Sequence, residues 1–214
     1  MRFKRNQVEV AISRRLEPGS PKPRSELRTR MKRLLETDRS FGRNKRSADP
    51  ARANYAFYSR DAPGRGTEIW FSDYEAFALL MALRFMQHGW PQGFAVTILR
   101  DVRPDLEREY ERIVQQDPAT LFDKQQILRA ARPGDLVVGN TDPVFLAIVS
   151  QDTYDPSRPV KAAVRRGQEE LMRVIRADAE VGQAWTMFEI VNSAYPLLWE
   201  LVKTKPAKRG RGTG

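Results

Sequence analysis

The residues of this chain best suited to do chemistry are its arginines and lysines, and they cluster where a polyanion can be gripped. Residues 1 to 66 hold 18 Lys and Arg against 7 Asp and Glu, a net of +11. Residues 67 to 202 hold 14 against 20, a net of −6, and the segment from Lys203 to Gly214 adds five basic residues and no acid. With a net charge of +10 and a pI near 10.1, the chain attracts phosphate over a Debye length of roughly 8 Å at physiological salt. Cationic side chains of this kind position a protein on a nucleic-acid backbone, and a few of them can read base edges. The candidates fall in four groups: Arg28, Arg30, Lys32 and Arg33; Arg43, Lys45 and Arg46; Arg60 and Arg65; and Lys208, Arg209 and Arg211.

Other chemistries find little support. The chain has no cysteine, so it offers no disulfide, thiolate nucleophile or cysteine metal site, and its one histidine, His88, has no second histidine to share a metal or a triad with. His88 reads instead as a last-turn residue favourable to a helix dipole. Asp105, Glu107, Glu109 and Glu111 are the one acidic run that a nuclease would claim for a metal. Arg103, Arg108 and Arg112 interleave with them, which points to ion pairs along a solvated helix. With no glycine-rich phosphate loop or cofactor motif either, the expectation is a non-enzymatic protein without cofactor.

The elements that must present these cations are legible from periodicity. Val8, Ala11, Ile12 and Leu16 predict a short helix that Pro18-Gly19-Ser20-Pro21 ends. From Arg24 to about Asp38, Leu27, Met31, Leu34 and Leu35 form one face of a second helix, with Lys32 and Arg33 opposite and Arg28 and Arg30 at the edges. Residues 39 to 52 read as a basic surface loop. Tyr55-Ala56-Phe57-Tyr58 and Glu68-Ile69-Trp70-Phe71 predict the two strands of a hairpin with Arg60 and Arg65 at its tip. Ser72-Asp73-Tyr74-Glu75 is a capping box that opens a helix at Asp73, and His88-Gly89-Trp90-Pro91 closes it. Two more helices follow, one carrying Phe94, Ala95, Ile98, Leu99 and Val102, the next opened by Pro104.

Asp117-Pro118 marks the expected domain boundary. Beyond it, residues 121 to 128 predict a helix, Leu136 to Val138 and Val144 to Val149 strands, and residues 160 to 177 a helix. Ala184 to Val191 predicts a strand, and a last helix holds Leu197, Leu198 and Leu201, capped by Asn192 or Ser193. The expected class is α+β and predominantly helical. Residues 1–118 would form a basic winged-helix-like nucleic-acid-binding domain, 119–202 a small α+β assembly or effector unit, and 203–214 a basic disordered tail. No apolar run approaches the roughly 20 residues of a membrane span, and Met1 to Arg5 lead into no signal-peptide core. The expectation is an intracellular, cytoplasmic protein with no membrane partner, nucleoid-associated if bacterial.

From Arg24 to Leu99 the order of signals resembles the winged-helix DNA-binding domains of the MerR-like regulators. The residues that carry the likeness are the basic helix from Arg24, the hairpin Tyr55 to Phe71, Ser72-Asp73-Tyr74-Glu75, then Leu80, Leu83 and Phe85, then Gly89-Trp90-Pro91 and Ile98-Leu99. The resemblance implies a recognition helix, a two-stranded wing and a glycine-linked helix pair. Pro206-Ala207-Lys208-Arg209-Gly210-Arg211-Gly212 resembles an AT-hook core, with glycine where that motif has proline. The function expected is a sequence-specific double-stranded DNA-binding regulator acting as a homodimer, with the C-terminal unit open to a protein partner. Two alternatives stand beside it. One is an RNA-binding or ribonucleoprotein component in which Tyr55, Phe57, Tyr58 and Trp70 stack on bases, the competing role of those aromatics being hairpin core. The other is a structural nucleic-acid-packaging protein.

Overall fold

The computed structural model describes residues 1–20, 22–60, 69–131, 133, 138–151, 161–177 and 183–206. It is α+β and mostly helical, with two small antiparallel sheets. Packing divides the chain into two compact units. Met1–Arg100 and the residues from Pro196 onward form the first, and Asp101–Tyr195 the second.

The first unit opens with β1 (Arg2–Lys4) and α1 (Arg5–Leu16), whose apolar face buries Val8, Ala11 and Ile12 as its spacing predicts. Gly19 at φ +90° turns the chain, and α2 (Ser25–Ser40) buries Leu27, Met31, Leu34 and Leu35. A loop then carries α3 (Pro50–Ala53), a single turn whose Asp49 cap accepts from the Ala51 amide at 2.9 Å. β2 (Trp70–Ser72) leads into α4 (Asp73–Gln87) through the expected capping box, in which Ser72 Oγ accepts from the Glu75 amide at 3.0 Å. α4 is buried on nearly every side, as its uniformly apolar sequence requires. Gly89, at φ +88°, separates it from α5 (Gln92–Asp101).

The hairpin expected between Tyr55 and Phe71 is not formed as drawn. Trp70–Ser72 pairs antiparallel with Arg2–Lys4, placing Phe71 opposite Phe3, and Tyr55–Tyr58 makes no strand. All four residues of the Tyr55–Tyr58 run are buried, so the core claims both alternating sides of the segment. Its Ala56 and Phe57 amides are satisfied by a carboxylate, not by a neighbouring strand. The expected wing tip at Arg65 lies outside the described residues.

In the second unit, α6 (Arg103–Val114) is followed by two short helices, α7 (Pro118–Leu121) and α8 (Lys124–Ala130). Then come β3 (Val144–Gln151), β4 (Lys161–Arg166), α9 (Gly167–Ala177) and β5 (Gln183–Glu189). β3 is the central strand of an antiparallel β4-β3-β5 sheet, and Phe145 and Ala147 on one of its faces pack with Leu171 of α9. α10 (Val191–Lys203) follows and crosses the division, which falls within it at Tyr195–Pro196.

Two expected elements differ in the fold. Residues 160 to 177 are not one helix: Lys161–Arg166 is a strand paired with β3, and Gly167, at φ +75°, is where the strand gives way to α9. Edge pairing to an apolar central strand outweighs the helical spacing of Val164, Leu171, Val174 and Ile175. The N-terminus of α10 is capped by Glu189, which accepts from the amides of Val191 and Asn192 at 2.9 Å each, and not by Asn192 or Ser193. Packing divides the two units at Arg100–Asp101. Asp117 caps α7 by accepting from the Ala119 amide at 3.0 Å, so the Asp-Pro pair is a helix start, not a linker. Among the described residues no helix is long and apolar enough to cross a membrane.

Candidate nucleic-acid interface

The leucine face of α2 turns its other side outward, and Arg28, Arg30, Lys32 and Arg33 are all exposed there. Their partners differ. Arg28 lies 3.4 Å from Glu9, and Lys32 lies 3.7 Å from Glu36 one turn on. Arg30 and Arg33 have no acidic partner among the described residues. They stand three residues apart, neighbours on one stripe of the helix. The Lys32–Glu36 pair is exposed on both sides and contributes roughly 0–1 kcal/mol, so Lys32 can exchange its carboxylate for a phosphate, whereas Glu9 is buried and also held by Arg5 at 2.9 Å.

The second basic group sits on the loop after α2, and a buried ion pair fixes that loop. Asp38 is on the apolar side of α2 and 0% exposed; Arg100 of α5 is 3% exposed and places its Nε 2.6 Å from Asp38 Oδ1. The guanidinium also donates to the carbonyls of Asp38 (2.6 Å), Gly42 (2.8 Å) and Ala51 (3.3 Å). The carboxylate in turn accepts from the amides of Ala56 and Phe57, both at 3.0 Å. One charge pair therefore holds both ends of the segment from Gly42 to Phe57. The loop between is closed by the Asn44 amide donating to the Arg52 carbonyl at 2.8 Å. On it, Lys45 and Arg46 are exposed, whereas Arg43 is half-buried with its guanidinium 5.1 Å from the Tyr55 ring centre, so part of its role is packing.

Arg60, exposed, marks the third group. Glu75 ties the chain on both sides of it: its carboxylate accepts from the Ser59 amide at 2.5 Å and, closing the capping box, from the Ser72 amide at 2.7 Å. The remaining candidates, Arg65, Lys208, Arg209 and Arg211, lie outside the described residues.

The aromatics expected to be either core or base platform divide sharply. Tyr55, Phe57 and Tyr58 are buried and belong to the core; Trp70 is 41% exposed, with Lys4 Nζ 5.0 Å from its ring centre. Burial pushes the Tyr58 phenol up to about 12, against the opposing pull of Arg39, and Asp38 adds to the rise. A different aromatic group is open on the surface. Phe41, at the C-terminal end of α2, is 50% exposed, and Phe94 of α5 is 37% exposed and stacked on Trp90, ring centres 5.6 Å apart.

The acidic run on α6 behaves as its interleaved arginines predict, with ion pairs Arg103–Glu107 (3.1 Å), Arg108–Asp105 (2.8 Å) and Arg112–Glu109 (2.8 Å). In the same unit Asp142 accepts from Arg112, from Gln116 at 2.8 Å and from both Nε and Nη2 of Arg166 at 3.0 Å. Its partial burial opposes ionisation, but the donated hydrogen bonds outweigh it and hold the carboxyl below the usual carboxylate range. This cluster ties α6 to the start of the sheet. Among the described residues no group of three or more His, Asp and Glu could hold a metal ion.

No protein-family model, curated protein or solved structure matches the chain. The structure thus brings Arg30, Arg33 and the stapled basic loop onto the first unit by its own geometry. Sequence reasoning missed Asp38, Arg100, Phe41 and Phe94. Asp38 carried a signal: it follows Met31 and Leu34 by seven and four residues, so it falls on the apolar face, where a carboxylate requires a buried partner.

Proposed function

We propose that the first unit binds double-stranded DNA, with the exposed face of α2 as its principal contact and the loop of Lys45 and Arg46 as a second phosphate grip. The observation that carries this reading is the pair Arg30 and Arg33, adjacent on an exposed helix face without acidic partners among the described residues. A lone α-helix of this width fits the major groove of B-DNA, where an arginine can pair with guanine O6 and N7. The finer reading is a winged-helix-like, sequence-specific regulator. The two helices α1 and α2, the small β1–β2 sheet and the α4–Gly89–α5 helix pair support it.

Salt dependence tests the proposal. Each neutralised phosphate contributes about −0.9 to the slope of log affinity against log salt on a duplex. The double variant Arg30→Ala, Arg33→Ala should therefore flatten the slope by about 2 and weaken binding. If the double variant binds a duplex with the affinity and slope of the native chain, α2 is not the contact. Selection from random duplexes then asks whether sequence is read; an unenriched pool would leave phosphate binding standing and remove the regulator.

A further inference from the structure

The open aromatic group at the C-terminal end of α2 has no role in the core. Phe41 lies four residues beyond Thr37 and eight beyond Arg33, so Arg30, Arg33, Thr37 and Phe41 fall on one stripe of the helix. α5 is locked to that stripe: the Gln92 side-chain amide donates to Thr37 Oγ1 at 2.5 Å and to the Arg33 carbonyl at 3.3 Å. Beside it, the Phe41 ring edge reaches the space over Gly93, where a Cβ would lie 3.7 Å from Phe41 Cζ. Phe41 is held from within as well, its ring centre 5.5 Å from the buried Arg100 guanidinium. On the same helix as Arg100, Phe94, next to Gly93 in the chain, stacks on Trp90 with ring centres 5.6 Å apart. The exposed rings of Phe41 and Phe94 are thus each fixed by a neighbour, and Phe41 ends a row of two guanidiniums that have no acidic partner among the described residues.

Arginine beside aromatic rings also suits a protein interface, so the charge of the surrounding segment decides the partner: residues 1 to 66 carry a net of +11, which is complementary to a polyanion. A single strand of nucleic acid needs both parts: rings on which a base can stack, and cations for the phosphates on either side. From Arg33 to Phe41 is about 12 Å along the helix axis, at 1.5 Å per residue. At the roughly 3.4 Å rise per nucleotide of a strand still stacked as in the duplex, that distance spans three or four nucleotides.

We propose that Phe41, Phe94 and Trp90 form a stacking platform for an unpaired base of the bound DNA, with Arg33 and Arg30 holding phosphates of the same strand, an assignment that rests on the DNA-binding reading of the first unit. The preferred ligand is then a duplex that carries a single-stranded segment, such as an overhang or an opened stretch, and not a fully paired one. Aromatic stacking on one base corresponds to about a five- to hundredfold gain in affinity.

The experiment compares a fully paired duplex with the same duplex carrying a four-nucleotide overhang, each fluorescently labelled, bound to the full chain. The native chain is expected to prefer the overhang by about five- to hundredfold. Phe41→Leu keeps an apolar side chain over Arg100 but removes the ring; Phe94→Leu does the same on α5. Both should lose the preference, keep the native circular-dichroism spectrum and leave duplex affinity unchanged. Arg30→Ala with Arg33→Ala should instead weaken both ligands. A native chain that binds the two ligands equally, or a preference that survives both leucine variants, overturns the platform while duplex binding stands. Loss of duplex binding with a Phe41-dependent affinity for the overhang would keep the platform and overturn the duplex reading. Binding to neither ligand overturns both.

Discussion

Replacing Asp38 by asparagine should be among the most damaging conservative changes in the chain. The carboxylate is fully buried and accepts three hydrogen bonds: from Arg100 Nε at 2.6 Å and from the amides of Ala56 and Phe57 at 3.0 Å. Asparagine keeps one acceptor oxygen and presents N–H donors where those donors point. Arg100 would retain the carbonyls of Asp38, Gly42 and Ala51, but these are neutral, and its charge at 3% exposure would have no counterion. Breaking a buried pair by removing one partner costs about 3 to 5 kcal/mol, against a total stability of about 5 to 15 kcal/mol for a typical domain. For a urea dependence of about 1–3 kcal/mol per molar, the midpoint should fall by at least about 1 M. Urea titration followed by tryptophan fluorescence and circular dichroism measures it. The companion variant Asp38→Asn, Arg100→Met removes the stranded charge, so its cost should be less than the sum of the two single changes. A single variant within about 1 kcal/mol of the native chain, or strict additivity in the double, would refute the claim that this pair staples the basic loop.

Other outcomes follow from the same geometry. Phe71→Ala, on the buried side of β2, should cost about 3 to 5 kcal/mol, whereas Trp70→Ala, one residue away and 41% exposed, should cost clearly less. Paired thermal melts decide this, and equal losses would contradict the strand register. Asp142 is more acidic in the folded chain than in the unfolded one, so its contribution to stability is present above the ordinary carboxylate value of about 3.9 and is lost as pH falls below it towards the folded value. Asp142→Asn should flatten that acid limb in melts between pH 6 and pH 2, and parallel curves would show the network with Arg112 and Arg166 to be inert. Tyr58 moves the other way: its phenol, pushed up to about 12, favours the folded state below pH 10, and that advantage disappears as pH rises through about 12. Absorbance at the tyrosinate band should lose its latest-titrating component in Tyr58→Phe, and an unchanged titration would place Tyr58 in solvent.

The sequence by itself determined the elements whose information is local. The spacing of Leu27, Met31, Leu34 and Leu35 fixes which side of α2 is buried, and therefore that Arg28, Arg30, Lys32 and Arg33 are exposed. Ser72 and Glu75 fix where α4 begins, and Gly89 fixes where it ends, because a cap and a positive φ depend only on residues a few positions apart. Tertiary structure decided whatever depends on a distant partner. β2 is legible as a strand, but that it pairs with Arg2–Lys4 and not with Tyr55–Tyr58 depends on which segment the core buries on both sides. The aromatic run Tyr55–Tyr58 and the exposed rings of Phe41 and Phe94 have similar chemistry in sequence and opposite fates in the fold. The first has its amides bound by Asp38, 18 and 19 residues away, and the second is left at the surface where α2 meets α5. The meeting of Asp38 with Arg100 spans 62 residues, and no periodicity encodes it. A buried charge announces that it needs a partner, but only the packed structure says which one.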